Sequence, residues 1–465
     1  MKFAIALAAV AMGASGSSAV TTAATEVATS ALARQRIPGM AVAVVRNGQL
    51  VLDKAYGVRE IAHRKPVGPE TIFEIGSITK QFTAAAVLQL KERGELRLSD
   101  RLGQYVPEYP RGRDITIEQL LHQTSGIPDH INDPPNAVTI ITTRPGSLTA
   151  ALALIKSMPL HFRPGTQWEY SNTNYLLLSA IVERVSKMPF AEYVSKNIFG
   201  PAHMTRSAFL KDEPCLANMA AGYLITPSGK LDRAGHIGYG WSGGAGSIVS
   251  TAGDLARWDI AYFSGRIISA ADVKLATTPA HINGKSTNYG FGWETDASDG
   301  LPTISHGGGM LGFTSTNDVF PTLGLSIVVL TNNGNASPDA VAKGIVAQLD
   351  PEFAAKQNAA VSGEDPALTA RIRTVWVQLH QGTLDRSLLT ESFSQNLTPQ
   401  VLRFMHAHFA GVGPPLRWIY KGKQAETNGN VTYTYRVLFK DGFALAITAS
   451  VAPNGKIAYC DSQYA

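Results

Sequence analysis

The chain has little with which to crosslink itself, hold nucleic acid or cross a bilayer. Its 465 residues include only two cysteines, Cys215 and Cys460, so no disulfide framework shapes the fold. Two free, buried thiols are the expectation, and a bridge between them is unsupported. Charged residues make up 17% of the sequence, and the excess of 41 Lys+Arg over 36 Asp+Glu is nowhere gathered into a basic run. That argues against a nucleic-acid partner or a polybasic membrane site. No apolar run reaches the roughly 18 residues that a membrane-spanning helix needs. The histidines lack metal-ligand spacing: His406 and His408 are two apart, and on a helix such residues do not face one another. No glycine loop of the phosphate-cradling kind is present either. Neither a metal nor a cofactor is therefore expected.

What is present reads as an exported two-part protein. Residues 1–23 have the make-up of a secretory leader: Lys2, a short apolar core over 3–12, then small residues with cleavage after Ala19 or Ala23. That places the mature protein in the periplasm or outside the cell. Residues 24–350 form the large unit. It opens with two apolar runs joined by Asn47-Gly48, the pair suited to a type I′ hairpin turn. It ends in strands over 303–305, 312–320 and 324–330, with a helix-rich middle between. Sheet strands at both ends of the chain and helices in the middle predict an α+β domain whose first and last segments pair. Residues 132–146 read as a surface loop and 351–366 as a linker. Residues 367–465 restart the pattern as a small α+β unit, helices first and then antiparallel strands with turns at Asp441-Gly442 and Asn454-Gly455.

Chemistry concentrates at three places. Ser77-Ile78-Thr79-Lys80 opens a run of helix formers, and on a helix Ser77 and Lys80 share a face at about 5–6 Å between β-carbons. A serine hydroxyl becomes a nucleophile only beside a base, and a lysine serves once burial or a nearby cation lowers its pKa. Tyr170-Ser171-Asn172 follows in a polar turn, and His306-Gly307-Gly308 lies before the closing strands. Taken singly, Tyr170 and Asn172 are also ordinary turn residues, and the glycines also suit close backbone packing. Gly240-Trp241-Ser242-Gly243-Gly244 matches the nucleophile elbow of α/β-hydrolases, but neither a buried strand before it nor a helix after it is expected.

The ordered set of motifs, with Phe73-Glu74-Ile75-Gly76-Ser77, Leu120-Leu121-His122-Gln123-Thr124-Ser125-Gly126 and Pro164-Gly165-x-x-Trp168, closely resembles the serine β-lactamase and penicillin-binding-protein superfamily over residues 35–350. The nearest branch is that of class C β-lactamases, D-stereospecific peptidases and family VIII esterases. The resemblance implies a β-lactamase/transpeptidase-like domain, an antiparallel sheet flanked by helices with an all-helical region. It implies Ser77 as the acylated nucleophile, Lys80 as its base and Tyr170 as the second acid/base. It also implies an oxyanion hole from the backbone N–H groups of Ser77 and Gly309. Asn172, His306, Gly307 and Gly308 become substrate-binding residues. Where β-lactamases carry Lys-Thr-Gly or Lys-Ser-Gly, this chain has His306-Gly307-Gly308, lacking both the ammonium and the hydroxyl that hold a substrate carboxylate. That favours an ester, an amide or a short peptide over a penicillin. Hydrolysis of β-lactams, or a non-catalytic peptide- or cell-wall-binding role, are the alternatives. The C-terminal unit weakly resembles the cone-shaped nuclear transport factor two fold. The oligomeric state is not legible in the sequence.

Overall fold

The Asn47-Gly48 loop sets the main sheet. Both residues take the positive φ of a type I′ turn, 50° and 75°, folding β1 (Gly39–Arg46) back on β2 (Gln49–Glu60) with Arg46 opposite Gln49. The structure, a computed structural model, describes residues 3–210, 216–297, 300–439 and 443–465, with side chains from residue 18 onward. Lys2, Cys215 and the Asp441-Gly442 turn lie outside the described residues.

The sheet is completed by β3 (Lys65–Pro66), β4 (Glu294–Asp296), β5 (Thr303–Met310), β6 (Phe313–Phe320) and β7 (Leu325–Thr331), in the order β4-β5-β6-β7-β1-β2-β3. β1 pairs antiparallel with β7, Met40 opposite Thr331 through Arg46 opposite Leu325. The two ends of the domain thus meet in mid-sheet, as the sequence order requires. Because successive side chains of a strand point to opposite faces, β1 feeds two cores. Ala41, Ala43 and Val45 face one, and Met40, Val42 and Val44 face the other.

The second of these cores lies under α1 (Phe3–Arg34), a single continuous helix whose Val20, Ala23, Ala24, Ala28 and Ala31 are buried against the sheet. Of the small residues read as a leader's cleavage region, Ala23 is buried against the sheet while Ala19 is exposed. The first core holds α2 (Thr79–Glu92), in which every residue from Thr79 to Leu90 is buried. Around α2 pack α3 (Asn172–Ser186), α4 (Ala252–Phe263) and the aromatic stack Phe82–Trp258, with ring centroids 4.2 Å apart. A helix buried on all sides is a rigid platform, and its N-terminus is where the site is built.

Two expectations need correction. Residues 132–146 are not all loop, since Ala137–Thr143 is helical and buries Ile141 beside Trp241 and Leu176. Threonines and a flanking Arg-Pro-Gly hid a short amphipathic turn. Nor are residues 351–366 all linker. α5 (Pro338–Leu349) runs into a second helix, Pro351–Gln357, whose first turn is capped by the Asp350 carboxylate. Asp-Pro at a helix start is an N-cap followed by N1, which in a polar segment reads equally as a breaker.

Residues 366–465 form the second unit: helices at Pro366–Gln381, Glu391–Asn396 and Pro399–His408, then an antiparallel meander of β8 (Arg417–Ala425), β9 (Val431–Leu438), β10 (Ala444–Val451) and β11 (Ile457–Tyr464). It has its own core around Trp376, Tyr435 and Ile447, and Cys460 is buried and free within it. It docks on the end of α1, where Arg34 donates to Val412 O at 2.9 Å and lies over the Phe443 ring at 5.0 Å. No helix among the described residues is long and apolar enough to cross a membrane.

Candidate active site

The site begins with a close approach of two backbones. Gly76 takes φ +49°, and a β-carbon there would lie 2.7 Å from Gly309 N, so only glycine lets the turn before α2 touch β5. Gly308 is equally constrained, since a β-carbon would sit 2.0 Å from Ile75 O. The residue after Gly76 is Ser77, in the tight turn Gly76–Ile78 that leads into α2. β4 pairs with β5 only as far as Ser305. From His306 onward no strand among the described residues pairs with the outer edge of β5.

Three side chains converge there. Lys80 Nζ and Ser77 Oγ are 2.9 Å apart, and Tyr170 donates its O–H to Ser77 Oγ at 2.8 Å. The convergence expected from the sequence is thus present, with the serine hydroxyl held between an amine and a phenol. Lys80 is fully buried, and Nζ donates to Asn172 Oδ1 at 2.9 Å and to Ala245 O at 2.9 Å. Burial pulls its pKa down to about 7, with the charges of Asp129 and Glu294 pulling the other way. A neutral amine has two N–H bonds and one lone pair. With both N–H groups taken by Asn172 and Ala245, the lone pair is left facing the Ser77 hydroxyl, which then donates to it. Burial pushes the Tyr170 phenol pKa far up, so that hydroxyl stays protonated and acts as a donor.

His306 departs from its expected role. It is 2% exposed, with Nδ1 2.6 Å from Gly307 O and Nε2 3.1 Å from the Tyr289 hydroxyl. A carbonyl only accepts, so Nδ1 carries the proton and Tyr289 donates to Nε2. Burial, helped by the charge of Lys80, lowers its pKa to about 3. His306 is therefore a neutral wall beside Tyr170, at 6.2 Å between ring centroids, and holds no charge for a substrate carboxylate. Gly307 and Gly308 line a neighbouring cavity of about 610 Å³, shared with the exposed Trp168 and with Glu294, Asp296, Asp318, Asp339 and Lys343; Ser77, Lys80 and Tyr170 are not part of its lining.

The Gly240–Gly244 segment is no nucleophile elbow. Ser242 is buried at the end of the short helical turn Tyr239–Ser242, and the following turn packs on α2, where Gly244 O accepts from Thr83 and Ala245 O from Lys80. Gly243 and Gly244 are buried against Leu176, Tyr175 and Ser179 of α3, so the segment packs behind Lys80.

Several contributors were not legible. Ala245 acts through its carbonyl, which no residue type advertises. Asp129 looked like a turn residue, but its Oδ2 accepts from Asn172 Nδ2 at 2.9 Å and so fixes which way the Asn172 amide faces. Gln123, left-handed at φ 61° and buried, accepts from Ser171 N and Asn174 Nδ2 through Oε1 and shapes the turn that carries Tyr170. Among the described residues one group has donors close enough to hold a metal ion: Asp133, His161 and Glu169, within 4.8 Å of one another. The two ring nitrogens of His161 face different carboxylates, Nδ1 toward Glu169 at 2.6 Å and Nε2 toward Asp133 at 3.5 Å. The same contacts also describe a clamp in which His161 bridges the two carboxylates.

Comparison with known proteins places this geometry in context. Protein flp of Staphylococcus aureus (strain N315) is 31% identical over 311 residues, covering 65% of this chain and 61% of flp. The chain thus spans about three-fifths of the length of that relative. The putative penicillin-binding protein PbpX of Bacillus subtilis is 33% identical over 290 residues, covering 62% of this chain and 69% of PbpX. Among solved structures, the octameric penicillin-binding protein homologue from Pyrococcus abyssi superposes over 96% of both chains, with a TM-score of 0.65 at 22% identity. D-amino acid amidase from Ochrobactrum anthropi superposes over 72% of this chain and 99% of its own, at 0.62 and 21%. EstCE1, a hydrolase with promiscuous acyltransferase activity, gives the same coverage, TM-score and identity. These structural likenesses carry the β-lactamase/transpeptidase fold. The sequence model of one family, Beta-lactamase, matches residues 24–350, the segment that holds the whole sheet, α2 and every side chain around Ser77, so the chain belongs to the beta-lactamase family.

Proposed function

We propose that this protein is an exported serine hydrolase that cleaves an ester or amide through an acyl-enzyme on Ser77. The observation that carries the reading is the Ser77 hydroxyl held at 2.9 Å from a buried amine of lowered pKa and at 2.8 Å from a phenol. In this reading neutral Lys80 takes the Ser77 proton as Oγ attacks the substrate carbonyl carbon. The oxyanion is held by the backbone N–H groups of Ser77 and Gly309, brought together by the Gly76–Gly309 approach. Collapse of the tetrahedral intermediate expels the alcohol or amine, which takes the Tyr170 proton. The ammonium of Lys80 restores that proton to Tyr170. Water then repeats the sequence on the acyl-enzyme, releasing the acid and regenerating Ser77.

Electrostatics narrow the substrate. The cation that would hold a carboxylate at the third motif is replaced by neutral His306, and the neighbouring cavity sets Asp296 and Asp339 beside Lys343, while burial pushes Asp318 up to about 7 and raises Glu294. A substrate that is neutral or bears an ammonium there is favoured over one that presents a carboxylate, as β-lactams do. Export rests on residues 1–23, and the burial of Val20 and Ala23 favours cleavage after Ala19, which leaves both in the core. A parallel panel of short-chain p-nitrophenyl esters, D-amino-acid amides and nitrocefin tests the reading. Esters or amides are turned over by the wild type and not by Ser77→Ala, with nitrocefin slowest. Turnover that survives Ser77→Ala overturns it.

A further inference from the structure

The cluster that looks like a metal site connects to the catalytic lysine. Glu169, next to Tyr170, accepts from His161 Nδ1 at 2.6 Å. His161 Nε2 lies at ion-pair distance, 3.5 Å, from Asp133 Oδ2. The same Asp133 oxygen accepts from the backbone N–H of Asp129 at 2.5 Å. The Asp129 carboxylate accepts from Asn172 Nδ2, and Asn172 Oδ1 accepts from Lys80 Nζ. The chain of contacts thus runs Glu169–His161–Asp133–Asp129–Asn172–Lys80 without a gap.

We propose that His161 is a positioning residue for acylation: it clamps the 129–133 turn to the Tyr170 loop, and through Asp129 and Asn172 keeps the Lys80 lone pair on Ser77. The reasoning is geometric. Only an imidazolium has an N–H on each ring nitrogen and can serve both carboxylates at once; a neutral ring serves one. The three segments are also tied by backbone bonds, His161 N to Gly126 O, Gly165 N to Thr124 O and Glu169 N to Gln123 O, and by Thr173 Oγ1, which donates to Pro128 O and accepts from His130 N; His161 adds the side-chain link between Asp133 and Glu169. Asp129 has to hold one oxygen against Asn172; Ile131 N and Asn132 Nδ2 also donate to its carboxylate, and its backbone N–H is held by Asp133, which faces His161. If the clamp opens, Asp133 loses the partner that holds it against Asp129 N, the Asp129 carboxylate sits less firmly against Asn172, and the acceptor that directs one Lys80 N–H away from Ser77 is less well placed. Substrate does not touch His161 in this account, so the effect falls on the rate of the chemical step.

This inference rests on the acyl-enzyme reading, and the test separates the two. A fluorophosphonate probe, which reacts with an activated serine whatever the natural substrate, is used on the full chain to obtain the maximal labelling rate and the probe concentration at half-maximal rate. If wild type is not labelled at Ser77, the acyl-enzyme reading fails. Given labelling, His161→Ala is expected to lower the maximal rate about 10- to 100-fold, the size of loss that a small misplacement causes, with the half-maximal concentration nearly unchanged. His161→Lys, which keeps a cation with several N–H donors, recovers part of the rate. Asp133→Asn alone lowers the rate, and His161→Ala added to it costs nothing further, because both break the same chain. An unchanged maximal rate, a loss confined to the half-maximal concentration, or fully additive effects overturns the proposal. So does a chelator that reproduces the loss in wild type, since the cluster would then be a metal site. Should His161→Ala fail to fold, His161→Lys and Asp133→Asn decide the matter on their own.

Discussion

Replacing Asp129 with asparagine should make the protein relatively more active in acid. Lys80 must be neutral to take the Ser77 proton, and burial sets its pKa near about 7, so about a tenth of the molecules are competent at pH 6 and about nine-tenths at pH 8. The labelling rate of Ser77 by a fluorophosphonate should accordingly rise about ten-fold between those values in the wild type. The Asp129 carboxylate is the foremost charge holding that pKa up, and it reaches Lys80 across the Asn172 side chain. An opposite charge within about 4–6 Å typically moves a pKa by about 1–3 units. One removed by a side chain belongs at the low end, about one unit. Asp129→Asn keeps an oxygen for Asn172 but loses the charge, so the ascending limb should move down by about one pH unit and the pH 8 to pH 6 rate ratio should fall to about two. Each profile is normalised to its own plateau, because a less well held Asn172 also lowers the plateau. A limb that stays in place, or moves to higher pH, would refute the claim that the Lys80 charge state gates acylation.

Other outcomes follow from the same geometry. Tyr170→Phe removes the proton donor to the leaving group and should slow ester turnover about 100-fold or more while Ser77 keeps its lysine, as steady-state rates and phosphonate labelling measured side by side would show. The buried lysine should also mark the stability profile. Its folded pKa of about 7 lies below the ordinary 10.5, so between those values the unfolded chain holds more protons and native stability rises with pH. Wild type should gain about 3 kcal/mol from pH 6 to pH 9 that Lys80→Met does not, and urea midpoints that track each other in the two proteins would contradict this. Gly308→Ala places a methyl 2.0 Å from Ile75 O and 2.4 Å from Ser315 Oγ, so β5 must shift. Activity should collapse even in folded, soluble protein, and full activity would show that the Gly76–Gly309 approach is dispensable.

The legible part of this molecule was the part fixed by local rules. Asn-Gly specified a hairpin because few residues take positive φ twice in succession, and Ser77 and Lys80 were joined by helical periodicity. Tyr170 came only through the order of motifs, since nothing local distinguishes a catalytic tyrosine from one in a turn. The direction in which His306 points was hidden, because alternation along a strand is interrupted where the next residues have no side chains. Backbone contributions such as Ala245 O have no residue signature. The His161 clamp joins residues read as a surface loop, 132–146, to the polar turn of Tyr170, through a histidine that no motif marks. The helices at Ala137–Thr143 and Pro351–Gln357 were masked by residues that both start helices and break them.

The whole account depends on Ser77 being the atom that becomes acylated. Intact-mass and peptide-mapping measurement of the fluorophosphonate adduct tests it most directly. One adduct is expected on the peptide that contains Ser77, in wild type and in Ser242→Ala alike, and none in Ser77→Ala. An adduct that persists in Ser77→Ala, or that maps to Ser242, would contradict it.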